Sequence, residues 1–74
     1  MKQIPEELQG FMDSVDTLPQ VDVTLPERGP YAVVNLQSFV RYRIGRLKEL
    51  PEHDKRVGYF LEDLGHAKNA YESS

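Results

Sequence analysis

The sequence predicts a mainly α, small α+β fold: an N-terminal helix, a short extended or β-hairpin segment, and a C-terminal antiparallel helical hairpin. Three observations carry this. Apolar residues recur with helical period both before Pro19 and after Asn35. Between them the period drops to two. A single short break, Pro51-Glu52-His53, separates the two helical stretches that follow, which makes them antiparallel neighbours.

In the first stretch Ile4, Leu8, Phe11, Met12, Val15 and Leu18 are apolar. At roughly 100° per residue they fall within an arc of about 120°. Glu6 and Glu7 stand where the helix dipole favours acids, and Pro5 suits a first turn. A helix A over about residues 4–18 follows, closed by Pro19. Over about residues 20–34, Val21, Val23 and Leu25 alternate with Asp22 and Thr24. Glu27-Arg28-Gly29-Pro30 then reads as a turn, and Tyr31-Ala32-Val33-Val34 as the returning strand of a hairpin. An extended arm is the alternative, with Pro30 opening the next helix.

Asn35 is a good N-cap for helix B, about residues 36–50, whose apolar arc holds Leu36, Phe39, Val40, Ile44, Leu47 and Leu50. Helix C, about residues 54–71, buries Val57, Phe60, Leu61, Leu64, Ala67 and Tyr71. The expected common core joins Leu8, Phe11, Val15, Leu36, Val40, Leu47, Leu61 and Leu64, because three apolar arcs have only one another to cover them. Gly45, Gly58 and Gly65 lie inside the predicted helices. There each costs about 1 kcal/mol relative to Ala, so close approach of a second helix or of a partner is expected.

A chain of 74 residues holds one core, and the whole length reads as a single small domain. With no cysteine, disulfide staples and thiolate metal sites are excluded. The N-terminus Met1-Lys2-Gln3-Ile4-Pro5 has no apolar leader, and no long apolar run follows. A cytoplasmic protein that does not enter a membrane is the expectation.

The formal charge of −3 is unevenly spread: residues 1–27 carry six acids against one Lys, whereas helix B carries Arg41, Arg43, Arg46 and Lys48 against Glu49. That composition is one found in nucleic-acid contacts, but at about 100° per residue the four cations point in three directions rather than one. Arg43 breaks the pattern, because its direction falls inside the apolar arc. A charge there either snorkels, pairs with an acid of helix A, or belongs to an interface.

Chemistry is otherwise sparse. Glu62, Asp63 and His66 share a helical turn, and Glu52-His53-Asp54 opens the same helix, but one imidazole among hard oxygens is an incomplete ligand set. The serines have no glycine elbow around them and phosphate-loop patterns are absent, so no catalytic residue, metal or cofactor is expected. Tyr59 and His66, seven residues apart, stack on one side of helix C with Glu62 nearby. With Arg43 they are the candidate partner-binding residues. An unpaired Tyr31-to-Val34 strand would be a second docking edge. The expected function is a non-enzymatic protein-binding or regulatory module, an inhibitor or adaptor of the kind phages and mobile elements encode, with a homodimer as a further expectation. The alternative is a small nucleic-acid-binding protein using Arg41, Arg43, Arg46 and Lys48.

Overall fold

A computed structural model describes residues 4–73. Met1–Gln3, part of the stretch expected to carry no leader, and Ser74 lie outside the described residues. The elements run α1 (Glu6–Asp13), a 3₁₀ turn (Val15–Thr17), β1 (Asp22–Thr24), a second 3₁₀ turn (Pro26–Arg28), β2 (Val33–Asn35), α2 (Leu36–Glu49) and α3 (Lys55–Ser73). The fold class is the one the sequence predicts.

Helix A is shorter than expected, ending at Asp13 rather than near Leu18. The reason is local. Ser14 Oγ donates to the Phe11 carbonyl at 3.0 Å and Thr17 Oγ1 to the Ser14 carbonyl at 2.8 Å, giving the backbone an alternative to α-helical bonding. Pro19 disfavours helical geometry at Leu18. The freed carbonyls meet a distant partner: Gln37 of α2, buried, points its Nε2 at the carbonyls of Val15, Asp16 and Leu18 at 3.1, 3.4 and 3.4 Å. Its Oε1 accepts from Gln20. An amide of α2 thus fastens the end of the first layer.

The hairpin forms, with Asp22 opposite Asn35, Val23 opposite Val34 and Thr24 opposite Val33 in an antiparallel pair. Its returning strand begins two residues later than expected. Tyr31 and Ala32 belong to the turn, where Gly29 takes φ 127° and its carbonyl accepts from Ala32 at 3.3 Å; glycine reaches that φ without a steric penalty. Asn35 ends β2 and caps α2 through Oδ1, which accepts from the Ser38 amide at 3.0 Å.

The antiparallel α2 and α3 form the central layer. α1 packs on α3 and the first 3₁₀ turn on α2, while in the hairpin β1 packs on α3 and β2 on α2. Leu25, Leu36, Val40, Leu64 and Ala67 are completely enclosed between these layers. The predicted core is buried except for Val15 and Leu61, which are only partly covered; Val15 lies in the 3₁₀ turn that replaces the last turn of helix A. No close approach occurs at the helical glycines: a Cβ at Gly45, Gly58 or Gly65 would meet nothing within 4 Å. The helices leave open space there. Among the described residues no helix is long and apolar enough to cross a membrane.

Leu64→Ala removes a side chain with no exposed surface and is expected to cost about 2 to 5 kcal/mol, measured by chemical denaturation. Leu61→Ala should cost clearly less. Equal costs would contradict the placement of α3.

Candidate functional site

The flank of α2 that holds Phe39, Arg43 and Arg46 faces the flank of α3 that holds Tyr59, Asp63 and His66, and the second 3₁₀ turn closes over both. Three elements therefore converge on Asp63. Its Oδ2 accepts from Arg43 Nε of α2 at 3.1 Å. Arg28 Nη1, from the turn, lies 3.2 Å from both carboxylate oxygens.

The anomaly of Arg43 is resolved by this pairing, and it is not the pairing with helix A that the sequence offered. The acid belongs to α3, whose Asp63 lies beside Arg43. Arg43 is 14% exposed along its side chain. Its guanidinium carbon stands 3.5 Å from the Phe39 ring centroid and 5.6 Å from that of Tyr42, and Nη1 donates to the Phe39 carbonyl at 3.4 Å. Arg28 lies 5.9 Å from the same Phe39 ring. An ion pair, a cation–π contact and a backbone bond together compensate the guanidinium for the water it loses.

The four candidate partner-binding residues are all brought around Asp63. Arg43 is bonded to it. Tyr59 lies one turn before it, Glu62 immediately before it and His66 one turn after it. Tyr59 is 61% exposed and Tyr42, whose ring stands beside the Arg43 guanidinium, 58%, so two exposed tyrosines accompany a partly buried ion pair. His66 departs from the expected open face: it is half-buried, with Nδ1 3.7 Å from Glu27 of the turn and Nε2 3.9 Å from Glu62. Asp63, Arg28 and Tyr42 are the members that sequence reasoning missed. Asp63 was weighed only as a metal ligand, and among the described residues no group of three His, Cys, Asp or Glu side chains is placed to hold a metal ion.

The cations of the nucleic-acid alternative are dispersed. Arg41 meets Asp16 of the first 3₁₀ turn at 2.7 Å, Arg43 is committed to Asp63, and Arg46 meets Glu49 at 2.9 Å. Lys48 lies on the flank facing α1, beside Ile44 and Asp16.

At the start of α3 Asp54 acts as the N-cap, accepting from the Arg56 amide at 2.8 Å and from its Nε and Nη2 at 3.0 and 2.8 Å. The guanidinium bonds, then the amide, hold its carboxyl well below the ordinary aspartate range, and the same bonds raise Arg56. Comparison of the chain with known protein families, curated proteins and solved structures gives no match.

Because the folded carboxyl of Asp54 titrates lower than the unfolded one, its stabilising effect is complete above the unfolded value and fades as pH falls toward the folded value. The melting-temperature gap between the wild type and Asp54→Asn should therefore narrow between about pH 5 and about pH 2. A gap that stays constant over that range would contradict the assigned cap.

Proposed function

We propose that the chain is a non-enzymatic protein-binding module that docks through the tyrosine and arginine face centred on Asp63, acting as an inhibitor or adaptor of a protein partner. The observation that carries this is Tyr42 and Tyr59, both more than half exposed, the first beside the Arg43 guanidinium and the second one helical turn before Asp63. Tyrosine and arginine are the residue types enriched at interfaces and at their energetic centres. Here the arginines are held by Asp63 and Phe39 rather than waving in solvent, so little side-chain entropy remains to be lost on docking. Glu62 and His66 extend the same flank of α3. The absence of cysteine, and of a glycine elbow around any serine, supports the non-enzymatic reading.

The test uses the immobilised chain and an extract of the cells that encode it, with retained proteins quantified by mass spectrometry. Tyr42→Ala combined with Tyr59→Ala should leave circular dichroism unchanged. Retention of the partner should fall by at least about thirtyfold, matching a hot-spot loss of about 2 kcal/mol or more. Undiminished retention would place the interface elsewhere. Retention of nucleic acid alone, collapsing between about 50 and about 200 mM salt, would overturn the reading in favour of the nucleic-acid alternative. Sedimentation equilibrium of the purified chain would identify a second copy as the partner.

A further inference from the structure

The hairpin has an open edge, and that edge borders a groove. Leu25 donates to the Ala32 carbonyl at 2.9 Å and Leu36 to the Val21 carbonyl at 2.9 Å, with Val23 opposite Val34 between them. In an antiparallel ladder the residues that bond the partner strand alternate with residues whose amide and carbonyl face away. Val21, Val23 and Leu25 are therefore the inward set. Asp22 and Thr24 turn their backbone donors and acceptors outward, and among the described residues no backbone bond from outside the β1/β2 ladder takes them up.

Beyond this edge lies a groove of about 440 Å³, walled by β1 and the second 3₁₀ turn and floored by His66, Asn69, Ala70 and Ser73 of α3. Strands pair at a spacing of about 4.8 Å, so a strand added to β1 would run in this groove above α3. The docking edge expected from the sequence, Tyr31 to Val34, is not this one. Each strand of the two-stranded sheet keeps one outer edge, and the groove borders that of β1, with none of its lining residues coming from Tyr31–Val34.

We propose that this groove takes an extended, lysine- or arginine-bearing segment of a protein partner, added as a third strand against β1. The charge of the groove selects the occupant. Asp22 and Glu27 line it, and among the described residues that line it there is no lysine or arginine. A second copy of the chain is disfavoured there, since edge-to-edge pairing would bring the Asp22 carboxylates of both copies, and the Glu27 carboxylates of the adjoining turns, together at one short edge, and like charges repel. Backbone bonds to Asp22 and Thr24 hold the added strand. Ala70 leaves room for a β-branched side chain, and the two carboxylates receive its cations. This rests on the reading of the chain as a protein-binding module, but on a different surface from the tyrosine face.

The test is amide hydrogen exchange and chemical-shift mapping on the isotope-labelled chain, with an acetylated and amidated heptapeptide of alternating lysine and valine as probe. Exchange at Asp22 and Thr24 should slow by at least about tenfold at saturation. Val23, already paired, should change little. The same peptide with glutamate in place of lysine should have no effect, and Thr24→Pro, which removes one outward donor, should abolish the protection while circular dichroism stays unchanged. Unchanged exchange at Asp22 and Thr24 would overturn the proposal. So would shifts confined to Tyr42 and Tyr59, which would leave the tyrosine face standing. Protection of Asp22 and Thr24 that appears without peptide as the chain is concentrated would assign the edge to a second copy instead.

Discussion

The carboxylate of Asp63 receives guanidinium groups from two different elements, and the arrangement of this side of the molecule depends on that convergence. Arg43 reaches it across the helical seam, and Arg28 reaches it from the turn that carries the hairpin back toward α2. A lone arginine directed into the apolar arc of α2 would be expensive to desolvate. With Asp63 beside it and the Phe39 ring beneath it, the same arginine becomes a bridge between layers. Such pairs add little net stability compared with an apolar filling of the same volume. What this one supplies is position: it sets where the second 3₁₀ turn rests and holds the seam between Tyr42 and Tyr59.

A second polar fastening closes the opposite side. Past the end of α1 the chain leaves the α-helical pattern, and the Gln37 amide of α2 points at the carbonyls of Val15, Asp16 and Leu18. A chain this short encloses few residues completely, so unsatisfied backbone groups at its layer edges would cost a large fraction of its stability. Gln37 meets backbone carbonyls with a neutral amide, whereas Asp63 compensates two guanidinium side chains with an ion pair. Both also leave the apolar core uninterrupted between them.

The boundaries of α2 and the start of α3 were legible because local chemistry decides them, whereas the returning strand of the hairpin starts two residues later than its apolar run suggests. Asn35 and Asp54 are capping side chains, Pro51 stops a helix, and Val23 with Leu25 carries the period of a half-buried strand. The shortening of helix A was not legible. Its apolar arc continues to Leu18, and the break depends on serine and threonine bonds that compete only weakly until Gln37 arrives from elsewhere in the chain. The same distinction holds at the candidate site. Arg43 could be singled out as out of place within its own helix, but its partner depends on the register between α2 and α3. Arg28 sits in a turn, where nothing in its neighbours marks it as a bridge.

The two surfaces differ in kind. The tyrosine face is built from side chains held by the charge cluster, whereas the β1 edge offers backbone groups set by the hairpin register, in a groove walled by the turn that Asp63 holds. The claim that Asp63 acts as a junction is tested most directly by a double-mutant cycle on Arg43→Met and Asp63→Asn, followed by chemical denaturation. A coupling of at least about 1 kcal/mol between the two positions is expected. Costs that simply add, within about 0.3 to 0.5 kcal/mol, would show that Arg43 and Asp63 are neighbours without being a junction.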